Sequence, residues 1–129
     1  VKRSSAHLLV NVPLWECDVH FVTARTMAGA LAAARRRWPA LSADLASLSH
    51  DDEGAVMVLP GEAGVLALLP SDAKPGVVAH ECLHAAVRVL DRAGVKVSAR
   101  DDEPLAYTLG WLVDRATPWL ARAGATLRA

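Results

Sequence analysis

Apolar and β-branched residues gather at 7–12 and again at 19–23, and each run predicts a short strand. Pro13 stands where the first ladder must end, because proline brings no N–H to it. The pattern then changes period. Thr26 precedes MAGALAAARRRW, a run of strong helix formers that stops at Pro39, and its hydroxyl suits the capping position. Ser42 is placed to cap a short helix through Leu48, and the cluster His50-Asp51-Asp52-Glu53-Gly54 reads as a turn. Two apolar runs follow, AVMVLP at 55–60 and GVLALLP at 64–70, separated by Gly61-Glu62-Ala63. Their length and their Pro and Gly borders predict a hairpin.

Pro75 suits the first turn of a helix that runs to Ala93, with Gly94 as its stop. A second helix is expected to begin within Asp101-Asp102-Glu103-Pro104, where carboxylates suit the helix dipole and proline is tolerated. Its predicted end is about Ala116, before Thr117-Pro118 starts a last turn or short helix. Leu105, Leu109, Leu112 and Ala116 form its apolar stripe, beside a second stripe of Glu103, Tyr107, Gly110 and Asp114. The small residues Ala106 and Gly110 predict a close approach to the preceding helix. No repeat or linker interrupts the 129 residues, so a single α+β domain is expected.

Composition narrows what such a domain does. With 53% hydrophobic residues, 22% charged residues and a formal net charge of zero, a disordered chain is excluded and no overall electrostatic footprint for nucleic acid exists. Arg35-Arg36-Arg37, the one dense basic run, reads as the solvated end of a helix. Trp15, Trp38, Trp111 and Trp119 have no basic residues interleaved as a nucleic-acid platform would, and read as core or helix-end anchors. No apolar run approaches membrane-spanning length and no leader pattern is present, so a soluble, cytoplasmic protein without membrane or nucleic-acid partners is expected. Cys17 and Cys82 make no disulfide framework and read as reduced, buried residues. The Ala, Val and Arg richness is of the kind found in GC-rich bacterial or phage genomes.

Candidate chemistry sits in the middle of the 75–93 helix, at His80-Glu81-Cys82-Leu83-His84. Residues four apart share a helix face, so both imidazoles can point at one ion. Glu81, turned by about 100° from His80, is offset from ligation but placed to take a proton from a water that the ion activates. Two neutral imidazoles and a carboxylate suit zinc best. For the third ligand Glu103 is the best candidate, 19 residues after His84 and beyond the Gly94 stop. Cys82 lies on the opposite helical face, away from any ion. His7, His20 and His50 have no partner at ligand spacing and default to surface or strand positions.

HECLH followed by DDEPLAYTLGWL resembles the small zincin peptidases of the gluzincin kind, including the ImmA/IrrE-type bacterial peptidases and compact peptidase-like proteins of phages and prophages. The resemblance covers about residues 75–113. It implies a minimal zincin-like domain, with a small sheet, an active-site helix and a following helix that supplies a glutamate. It also implies His80, His84 and Glu103 as zinc ligands and Glu81 as catalytic base. Two departures are visible. Tyr107 stands where many gluzincins carry an aspartate that orients a ligand histidine, which leaves that support to Asp101 or Asp102. The Leu-Gly-His pattern often found after HE in the repressor-cleaving peptidases is missing. Tyr107 keeps two readings, a donor to a developing oxyanion or a core tyrosine with a satisfied hydroxyl.

The function these residues lead one to expect is zinc-dependent hydrolysis of a peptide bond in a protein or peptide substrate, held extended along a sheet edge at 64–70. The alternative is a zincin-fold, zinc-binding module that docks a partner without turnover.

Overall fold

The computed structural model describes residues 3–48 and 52–128. The His50 and Asp51 readings therefore lie outside the described residues.

β1 (Ser5–Val12) and β2 (Cys17–Ala24) form an antiparallel hairpin. From β2 the chain crosses through α1 (Met27–Arg37), a 3-10 turn (Pro39–Leu41) and α2 (Ser42–Ala46) to β3 (Ala55–Val58). β3 pairs antiparallel with β4 (Val65–Pro70), which lies parallel to β2. The sheet order is β1-β2-β4-β3. The expected hairpin at 55–70 is present, but the edge assignment is corrected: β4 is interior and β3 is the edge strand. The reason lies in its residues, since Val65 to Leu69 are buried throughout and an all-apolar strand fits only where both faces and both sides are covered.

Two cores flank the sheet, and side-chain alternation decides which residue joins which. Val19, Phe21, Val65, Ala67 and Leu69 point toward α3 (Pro75–Arg92) and α4 (Glu103–Arg128), packing on Cys82, Ala85, Val89 and Leu112. Val22, Leu66 and Leu68 point the other way, against Met27, Leu31 and Leu45 of α1 and α2. The fold is α+β, with a four-stranded mixed sheet between two helical layers. The tryptophans pack partly buried on these cores, as expected.

Thr26 caps α1, its hydroxyl accepting from the Gly29 N–H at 3.1 Å. Ser42 does not cap α2. It is the first helical residue, and its hydroxyl donates back to the Pro39 carbonyl at 2.8 Å, because the 3-10 turn already supplies the approach to α2. α3 ends in a Schellman motif at Gly94 (φ 74°), with Val95 N–H donating to the Leu90 carbonyl and Gly94 N–H to that of Asp91.

α4 differs most from expectation. It runs unbroken to Arg128 with Pro118 inside it. Proline forfeits one intrahelical bond and crowds the carbonyl four residues earlier. Pro118 and Asp114 are both exposed, so the freed carbonyl faces water, while Leu120, Ala123 and Leu127 are buried on the turns beyond. That burial holds the helix together across the proline. The stripe Leu112 and Ala116 is buried as expected, with Leu105 and Leu109 partly so. The neighbouring stripe of Glu103, Tyr107, Gly110 and Asp114 faces solvent, and a Cβ at Gly110 would meet nothing within 4 Å. Gly110 is therefore not a point of close helix approach. Among the described residues, no helix is long and apolar enough to cross a membrane.

Candidate active site

α3 positions the HECLH residues by the division of its own surface. Val78, Cys82, Ala85, Ala86 and Val89 are buried, and three of these five are small enough to let the helix lie close to the sheet. That seating leaves His80 and His84 exposed and turns Glu81 inward, where only 6% of its surface remains accessible. The expected pairing is formed. His80 Nε2 and His84 Nε2 stand 3.1 Å apart, and their rings meet edge to face with centroids 4.7 Å apart.

This separation can be tested against zinc. Two imidazole nitrogens on one tetrahedral zinc, each at its usual bond length, stand about 3.3 Å apart. The histidine pair fits. The third ligand does not join it: among the described residues, no three His, Cys, Asp or Glu side chains gather where one ion could hold them. Glu103 opens α4, exposed, with no ion pair or side-chain hydrogen bond to a described residue. Asp101 and Asp102 are exposed too, and neither makes a side-chain hydrogen bond to a histidine. The support expected from them is not formed. Tyr107 is 47% exposed, which removes its reading as a core residue with a satisfied hydroxyl.

Glu81 sits where its protonated form is favoured. Burial pushes its carboxyl above the ordinary range, with Asp52 adding to the rise and the nearby His80 and His84 opposing it. Gly54, at the entry to β3, lies against it: a Cβ there would come 2.7 Å from Glu81 Cγ and 3.0 Å from Oε1. Sequence reading took Gly54 for an ordinary turn residue. Its role as the wall of the Glu81 pocket depends on β3 and α3 meeting, and nothing in the local sequence announces that contact. Cys82 is buried on the opposite side, where burial pushes its thiol up to about 12, so it is an inert core residue.

Two open clefts share Asp52, Gly54, His80 and Glu81. The larger, about 680 Å³, extends toward Lys74 and Gly76 at the start of α3. The smaller, about 380 Å³, extends past Val56 of β3 to His84 and Arg88. Together they form one groove along α3 that passes Glu81 and is bordered by the edge strand β3.

No family model matches the chain, and neither a curated protein nor a solved structure does.

His7 and His20, which sequence reading left without partners, also meet. His7 Nε2 and His20 Nδ1 are 2.9 Å apart, the rings are stacked at 5.1 Å, and Trp38 lies edge-on against both. The β1-β2 register joins them diagonally, His7 pairing with Val22 and His20 with Leu9. A spacing of thirteen residues carries no helical or metal-site signature, so only the strand pairing reveals the contact.

Proposed function

We propose that this protein is a zinc-dependent peptidase of the minimal zincin type, acting on a peptide bond of a protein target. The observation that carries this reading is a buried carboxylate, Glu81, one residue from a pair of imidazoles that converge at zinc-binding distance in an open groove. His80 and His84 are the ligands. Glu103, exposed at the start of α4 and outside any three-residue cluster among the described residues, is kept as the candidate third ligand, and its variant below tests it. Zinc, if held by these residues, would supply Lewis-acid chemistry, activating a water and polarising a peptide carbonyl.

The protein's own residues do the rest. Glu81, buried beside the histidines in the groove, would take a proton from the attacking water and return it to the leaving amine. The outer edge of β3, beside Val56 and the histidines, offers main-chain groups to a substrate strand and holds it straight along the groove. Tyr107 is exposed on α4 and lines neither cleft of the groove, so the oxyanion is assigned no donor from it.

The separation of Glu103 from the histidine pair favours a second reading, a zinc-binding module that docks a partner without turnover. Two measurements discriminate. Elemental mass spectrometry on protein purified without chelator or affinity tag is expected to give about one zinc per chain, lost or strongly weakened in His84→Ala and Glu103→Ala. Glu81→Gln is then expected to keep the zinc and lose hydrolysis of a peptide library by about 100-fold or more. Wild type without metal after zinc is added back sinks both readings. Zinc binding with no cleavage by the wild type leaves the docking module.

A further inference from the structure

The far side of the sheet carries a feature that the peptidase reading does not use. β1 is the other edge strand, eight residues long. Among the described residues its main chain makes no backbone hydrogen bond beyond the β2 ladder except at Val12, whose carbonyl accepts from Trp15. Leu9, in the middle of the strand, is 50% exposed. Long, flat edges with exposed apolar side chains pair readily with other strands, and proteins usually blunt them. Charged side chains are one way of doing so, and here they are arginines gathered at the start of the strand, which discourage some partners and suit others.

Two open cavities share the beginning of β1, each lined by Arg3, Ser5, Ala6 and His7. One, about 510 Å³, lies toward α1 and is completed by Arg36 and Arg37. The other, about 210 Å³, lies toward α4 and is completed by Trp119, Arg122 and Thr126. Among the described residues, no Asp or Glu lines either cavity. In a chain of zero formal net charge, four guanidinium groups around one strand end without a lining carboxylate make a strongly positive site. The positive field is felt inside the fold as well, since Arg37 adds to the burial that holds the His7 imidazole neutral.

The placement of the cavities identifies the ligand. A strand added beside β1 points successive side chains to opposite faces of the sheet. One set would enter the α1-side cavity and the other the α4-side cavity. We propose that β1 is a docking edge for an extended acidic segment of a partner protein, paired by its main chain and read by arginines on both faces. A second copy of this chain is a poor occupant, because β1 itself, SAHLLVNV, brings no carboxylate to meet these arginines. A nucleic-acid backbone would match the charge but would leave the free main-chain edge of β1 unused.

The experiment is fluorescence anisotropy with a labelled Glu-Thr decapeptide of repeating Glu-Glu-Thr-Thr, which presents carboxylates to both faces of the sheet, measured at low salt. Three comparisons accompany it: the same peptide N-methylated at alternate backbone nitrogens, a Lys-Thr peptide, and a single-stranded oligonucleotide of equal charge. The proposal expects saturable binding of the Glu-Thr peptide alone. It also expects about a tenfold loss in Arg36→Glu/Arg122→Glu, a smaller loss in Arg36→Gln/Arg122→Gln, and weakening as salt is raised. Circular dichroism of both variants checks that these exposed positions leave the fold intact. No binding by the wild type overturns the proposal. Equal binding of the N-methylated peptide overturns strand pairing, and tighter binding of the oligonucleotide replaces the peptide with a nucleic acid.

Discussion

Glu81 and Gly54 show how one residue's chemistry is set by another's missing side chain. The carboxyl sits where burial raises its proton affinity, and the room it occupies exists because position 54 has no Cβ. Gly54→Ala would press a methyl into Glu81 Cγ, near the rigid end of that side chain, so the strain cannot be relieved by its tip alone. A loss of about 1–3 kcal/mol in stability is expected from such overpacking, measured by urea denaturation. Glu81→Ala should recover most of that loss in the double variant, because the two positions share one space. Additive losses would mean that the side chains do not meet.

Among the elements, α4 carries the sharpest departure from local rules. A helix interior tolerates proline at a cost of about 3 kcal/mol, and here the cost is offset by packing on both sides of it. Thr108 adds a tie at the other end, accepting from Trp15 Nε1 at 2.8 Å and donating to the Pro104 carbonyl at 2.7 Å. Pro118→Ala is expected to stabilise the protein by about 1–3 kcal/mol, read as a higher midpoint in thermal unfolding. The exposed position offers no packing that alanine would lose. An unchanged or lower midpoint would show that the proline sets a bend on which the packing of Leu120, Ala123 and Leu127 depends.

For the whole molecule, the joined histidines link stability to pH. Burial, with help from Arg37 and His20, lowers the His7 imidazole to about 4, from an ordinary value of 6.5. His20 is lowered too, again chiefly by burial. At these two histidines the unfolded chain therefore binds more protons than the folded one, and their contribution to stability falls as pH drops from about 6.5 toward 4, against the opposite contribution of Glu81. Denaturation curves across that range are expected to show the slope, and His7→Gln to reduce it. A profile that His7→Gln leaves unchanged would assign the slope to other groups. The same scale separates the two edges of the sheet, with the histidine and glutamate groove beside β3 and the arginine-ringed cavities at β1.

What the sequence determined by itself was most of what local periodicity and local chemistry govern, the cap expected at Ser42 excepted. The strands, the cap at Thr26, the stop at Gly94 and the 55–70 hairpin depend on neighbours a few residues apart, and so does the convergence of His80 and His84 one helical turn from each other. Residues distant in the chain needed the fold. Alternation in VLALLP could not say whether the strand was edge or interior, because both faces of an inner strand are apolar only once its neighbours are known. The unbroken course of α4 was decided by the core beneath it, against the local preference of Pro118. Gly54 beside Glu81, His7 against His20 and Arg122 across β1 from Arg36 were likewise placed by packing, since long-range proximity depends on how the layers stack and leaves no periodic trace in the sequence.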